Sequence, residues 1–174
     1  MIAVVELAPE PRQDAGERAM LEGFLDYYRS IVARKLDGLT EEQARRVHEP
    51  SGMTVIGVVL HLVGVELWWF LDALANERPV YRRTEHEMEA DRDAEWKARD
   101  DETVEAALAA YARACEDARV TAARYDLDDI ALLPRVAQRQ ATLRWIYVHM
   151  IEETARHAGH LDLLREAIDG STGD

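Results

Sequence analysis

"VIGVVLHLVGVELWWFL", residues 55–71, is the stretch on which the fold turns. It is about as long as the shortest membrane-spanning helices. It also carries His61 and Glu66, and the chain on both sides of it is acidic. A helix that is apolar almost all round equally suits the centre of a soluble bundle, where neighbours enclose it. The expectation is therefore a buried central helix, capped by Thr54 and running to about Asn76, ahead of Pro79.

Outward from that helix the chain reads as helical, with no convincing strand. Before it, Met20, Leu21, Phe24, Leu25, Tyr28, Ile31, Val32 and Leu36 recur at helical spacing, and Asp14 with Glu17 suggests a capping-box start. "DGLTEEQAR" supplies a turn and a second capping-box pattern, Thr40 with Gln43, for a short helix that stops before Pro50. After the central helix, residues 77–101 are charged and irregular, a long connection of the kind that often carries function. A third long helix is expected over about 102–125, with Val104, Leu108, Tyr111, Cys115 and Ala118 on one face. "DLDDIALLPRVAQRQA" leads to Thr142, the expected cap of a last helix ending at Asp169, with Gly170 as its terminator. The fold class is all-α: a four-helix bundle with two long connections.

The chain has 174 residues, a length that suits a single domain over 1–174 with an extended leader at 1–13. The leader has neither a basic n-region nor a long apolar run, so it does not read as a signal peptide. One cysteine, Cys115, excludes an intrachain disulfide framework and suits a cytoplasmic location. Lys and Arg number 21 against 34 Asp and Glu, a net charge of −13, which argues against nucleic acid as a partner. No membrane partner is expected, and the apolar excess on the first two long helices would allow a homodimer.

The last helix contains "HMIEETARHAGH", residues 149–160. Its inward stripe runs Leu143, Trp145 or Ile146, Met150, Glu153 or Thr154, His157, Leu161, Leu164, Ile168, so Glu153 and His157 fall among aliphatic residues. Residues four apart on a helix lie one turn apart on nearly the same face, and both side chains can converge on one point. His61 is the matching polar residue of the central helix; Glu66, five residues on, is rotated away from it. Together His61, Glu153 and His157 would make a His₂Glu set inside a bundle, costly in a dry core unless paired or bound to a cation. Such a set leaves coordination positions open; it suits zinc first, and also nickel or ferrous iron. The plainer alternatives are a core histidine with a satisfied hydrogen bond and a solvated Glu–His pair, and periodicity cannot bring the two helices face to face.

The order "LTEEQARR…PSGMTVIGVVLHLVGVELWWF" followed by "TLRWIYVHMIEETARHAGHLDLLREAIDG" resembles the DinB-like superfamily of metal-binding four-helix bundles. The likeness is strongest to the actinobacterial branch that includes relatives of mycothiol-dependent maleylpyruvate isomerase, and the acidic "DRDAEW" connection resembles that family too. The resemblance implies a divalent metal held by one His of the second helix and two residues four apart on the last, here His61, Glu153 and His157. It implies His149 and His160 as groups that orient a ligand or exchange a proton. It also implies thiol chemistry with mycothiol or a similar low-molecular-weight thiol on a small-molecule substrate, by S-transfer or isomerisation. Metal-dependent hydrolysis and a non-catalytic metal- or ligand-binding bundle remain the alternatives. The pocket is expected where the two helices meet the long connections. Arg144 and Arg156 are candidates for contacting an anionic substrate or thiol cofactor there, against the plainer role of solvated helix residues. Trp68, Trp69 and Tyr147 are candidate pocket walls, and Cys115 is read as a buried structural thiol.

Overall fold

The computed structural model describes residues 6–173. Residues 1–5 of the expected extended leader lie outside that range, and residues 6–12 have no regular secondary structure. Among the described residues the protein is all helical, without strands. Four long elements make the bundle: α1 (Glu17–Leu36), α3 (Val55–Glu66) with its continuation, α5 (Val104–Ala122) and α7 (Leu143–Asp169). Three short helices, α2 (Glu41–Ala44), α4 (Glu85–Ala90) and α6 (Pro134–Ala137), punctuate the connections, and a 3₁₀ turn (Ala94–Trp96) follows α4.

Local chemistry explains most of the boundaries. Thr54, Thr103 and Thr142 each accept a hydrogen bond from the backbone N–H three residues on, at 3.0, 3.1 and 3.3 Å. Thr40 and Gln43 form a reciprocal capping box. Gly170 takes φ +77°, the left-handed conformation that closes a helix at little cost to glycine. The start of α1 differs from the expected capping box: Arg12 binds the Asp14 carboxylate at 2.8 and 2.7 Å, and Gly16 is left as a cap without a side chain. α5 is shorter than expected at its start. The Thr103 cap fixes the first turn, and Glu102 is drawn off by Arg82 and by the backbone N–H of Arg99.

α3 is enclosed on nearly all sides, with Val55, Ile56, Val58, Val59, Leu62 and Val63 buried. The stretch Val55–Leu74 is long and apolar enough to cross a membrane by length and composition, and more than half of its most apolar window is buried inside the bundle. Its second half is not the α-helix that periodicity suggests: Leu67–Leu74 is π-helical. Short π segments of this kind recur at functional sites. Here Phe70, Ala73 and Leu74 enter the core while Trp68 and Trp69 line a cavity. α1 packs against α7 and α3 against α5, with α3 also meeting α7 and the 3₁₀ turn.

The contact between α3 and the 3₁₀ turn depends on Gly57. A Cβ at that position would lie 2.0 Å from the carbonyl oxygen of Trp96, far inside any real contact. Gly57→Ala is therefore expected to push the turn off the helix and to cost about 1–3 kcal/mol, as overpacking does. Chemical denaturation checks this, and an unchanged midpoint would contradict it.

Candidate metal centre

α3 and α7 meet side by side, and their polar residues converge. Glu153 Oε1 stands 3.6 Å from His61 Nε2 and 3.1 Å from His157 Nε2. Ligand atoms of all three residues lie within 4.8 Å of one another. Two ligands of a tetrahedral ion with bonds of 2.0–2.1 Å sit about 3.4 Å apart, so the spacing suits one divalent cation. The two ring nitrogens of His61 are buried, and neither has a well-aligned hydrogen-bond partner among the described residues. A buried imidazole in that state needs a proton acceptor or a cation; Glu95 stands near Nδ1, and the donor set at Nε2 is of a kind that holds a cation. Burial first, then the neighbouring His61, lowers the pKa of His157 and favours the neutral ring that coordinates metal.

On α7 the inward stripe resolves as Ile146 and Thr154, both fully buried, with Trp145 exposed and Glu153 at the stripe's edge. That edge position lets Glu153 reach the ligand cluster while it also borders a cavity of about 850 Å³. Trp68, Trp69, His149 and Glu95 line the same cavity. His149 is stacked on Trp145 with ring centres 5.1 Å apart and meets Trp69 edge-on at 4.6 Å. Burial in this aromatic cluster lowers its pKa. His160 stands outside the cavity lining, its Nδ1 3.2 Å from Nδ1 of His157.

The arginines and the remaining candidates are placed differently. Arg156 is more than half exposed, pairs with Glu152, approaches the second oxygen of Glu153 at 3.6 Å, and does not border the cavity. Arg144 pairs with Glu17 at 2.6 Å and with Asp128, tying the start of α7 to α1, and does not border the cavity. Tyr147 is buried, its hydroxyl 3.1 Å from Glu22. Cys115 is buried too, and burial pushes its thiol up to about 12, a poor starting point for a nucleophile. Glu66 points to the other side of α3, where Arg29 holds it at 2.7 and 2.6 Å.

The residues that sequence reasoning missed come from the 3₁₀ turn. Trp96 stacks on His61 with ring centres 3.9 Å apart and planes 18° from parallel. Glu95 Oε2 lies 3.3 Å from His61 Nδ1, and that contact pulls the Glu95 carboxyl below its usual pKa. Arg82 and Arg83 hold the turn by its backbone: Arg82 donates to the carbonyls of Glu95 and Lys97, and Arg83 to those of Ala94 and Lys97. The signal available beforehand was "DRDAEW" itself, an acidic and aromatic stretch within a long connection.

A helical bundle that gathers two imidazoles and a carboxylate beside an aromatic-walled cavity defines a class: a four-helix-bundle protein with a metal-type donor set at the wall of a cavity. The family model described as mycothiol-S-transferase matches residues 20–170, and the chain belongs to that family. No curated protein matches the chain.

Proposed function

We propose that the protein is a metal-dependent mycothiol S-transferase, joining the sulfur of the thiol to a small electrophile. The observation that carries this is the convergence of His61, Glu153 and His157 at the wall of the cavity, in a chain of the mycothiol-S-transferase family. His61 and His157 would hold the ion through Nε2 and Glu153 through Oε1, with zinc the first choice and nickel or ferrous iron compatible with the same donors. When bound, a divalent ion with an open position stabilises a thiolate near neutral pH.

The chain's own residues supply the rest. His149, its pKa lowered by burial, is available as a neutral base for the thiol proton. Trp68 and Trp69 give the electrophile an apolar wall and keep water from competing with sulfur. Of the arginines on the cavity wall, Arg82 and Arg83 are taken up by the carbonyls of the 3₁₀ turn, which leaves the exposed Arg92 placed for an anionic group of the substrate; Arg156 and Arg144 lie outside the lining and are paired with carboxylates. The net charge of −13 disfavours nucleic acid as a partner, and the single cysteine suits a cytoplasmic role.

The test is zinc-loaded protein with mycothiol and a haloalkyl bimane, following the fluorescent conjugate. Conjugation well above the uncatalysed rate, lost on chelation and slower with glutathione or free cysteine, is expected. Equal rates with and without protein across the thiols would overturn the reading.

A further inference from the structure

The long connection between the second and third long helices contributes directly to the donor set. We propose that Glu95 is a positioning residue of the metal centre, holding the Nδ1 hydrogen of His61 so that the Nε2 lone pair faces Glu153 and the ion. The inference rests on the metal reading above and goes beyond it, because it assigns a role to a residue outside the His–Glu–His set.

Two edges of one imidazole carry the argument. Glu95 Oε2 approaches Nδ1 at 3.3 Å, and Glu153 Oε1 approaches Nε2 at 3.6 Å. A neutral imidazole has one N–H and one lone pair; the 3.3 Å approach of Glu95 falls short of an aligned hydrogen bond, and a small rotation that lets Glu95 accept at Nδ1 leaves the lone pair at Nε2. His157 repeats the arrangement, with Nδ1 beside His160 and Nε2 beside Glu153. Supporting carboxylates on ligating histidines fix the tautomer and raise ligand basicity. The Glu95 oxygen closest to the ring lies at the Nδ1 edge, not the edge that faces Glu153, which fits an orienting group better than a fourth ligand.

The surrounding structure delivers Glu95 to that edge. Trp96 lies flat on the His61 ring and restricts its tilt. Arg82 and Arg83 pin the carbonyls of residues 94, 95 and 97, and Arg82 is itself anchored by Glu102 at the foot of α5. Gly57 leaves room for the Trp96 carbonyl against α3. None of these contacts uses the Glu95 side chain, so truncating it leaves the turn in place.

The experiment is zinc affinity by chelator competition for wild type, Glu95→Ala, Glu95→Gln and Glu153→Gln, with Co(II) absorption spectra and helical circular dichroism for each. Glu95→Ala is expected to weaken zinc binding by about 10–100-fold with the helical signal retained. Glu95→Gln keeps an acceptor oxygen for the Nδ1 hydrogen, so it should recover most of that loss and keep the wild-type Co(II) spectrum. Wild-type affinity in Glu95→Ala would overturn the proposal. So would a Glu95→Gln protein that loses as much affinity as Glu153→Gln with an altered Co(II) spectrum, since Glu95 would then be a ligand. Failure of wild type itself to bind zinc or cobalt is a separate result, and it removes the metal reading together with this one.

Discussion

Glu153→Ala is expected to lower zinc affinity by at least about 100-fold, more than the loss of a supporting group typically costs. Glu153 Oε1 is the atom that both histidine Nε2 positions face, at 3.6 and 3.1 Å. Without it the ion would be left with two neutral donors and no charge-compensating ligand, a poor site for a divalent cation. The side chain sits at the edge of the α7 core stripe, 16% exposed, so its removal opens no buried cavity and the helical spectrum should persist. Glu152→Ala is the control: that neighbour pairs with Arg156, belongs to no ligand cluster, and should leave zinc affinity unchanged. Competition with a chromophoric chelator measures both variants. Equal zinc affinity for wild type and Glu153→Ala would mean that the three residues hold no ion as a set, and the proposed metal-dependent thiol transfer would fall with it.

The helices and the two halves of the centre were legible in the chain because their signals are local. A threonine three residues before a free N–H caps a helix whatever surrounds it, and Thr54, Thr142 and Thr40 do so. The four-residue spacing of Glu153 and His157 brings them together on any α-helix. What stayed hidden depends on partners distant in sequence. Asp14 could have capped α1, but Arg12 competes for the same carboxylate. The register of the turn at 94–96 is set by Arg82 and Arg83 reaching carbonyls more than ten residues away, so no periodicity announces that Glu95 meets His61. The π segment is equally silent, since an apolar run reads alike with either hydrogen-bond ladder. Arg144 shows the reverse limit. Its place near the histidines in sequence suggested the pocket, yet Glu17 at the start of α1 claims it.

Glu66 is where distance in sequence matters most for stability. It is fully buried, and Arg29, 5% exposed, grips it with two bonds across 37 residues of chain. Burial works against the Arg29 charge, and Glu66, with smaller help from Cys115 and Tyr111, offsets it, so the guanidinium stays ionised. Glu66→Ala removes that compensation inside the core, leaving Asp26 at the edge as the remaining carboxylate on Arg29. Breaking one side of such a pair costs about 3–5 kcal/mol, which for a domain of this size lowers the melting temperature by roughly 6–20 °C. The double variant Arg29→Met with Glu66→Leu replaces the ion pair by apolar volume, and its stability should return to or exceed that of wild type. Calorimetry of wild type and the two variants tests both statements. The same proteins should keep wild-type zinc affinity, because Arg29 and Glu66 lie on the far side of α3 from the His61–Glu153–His157 set. A single variant as stable as wild type would mean that Asp26 alone satisfies Arg29. A double variant no better than the single would mean that the pair holds α1 and α3 in a geometry that apolar packing cannot reproduce.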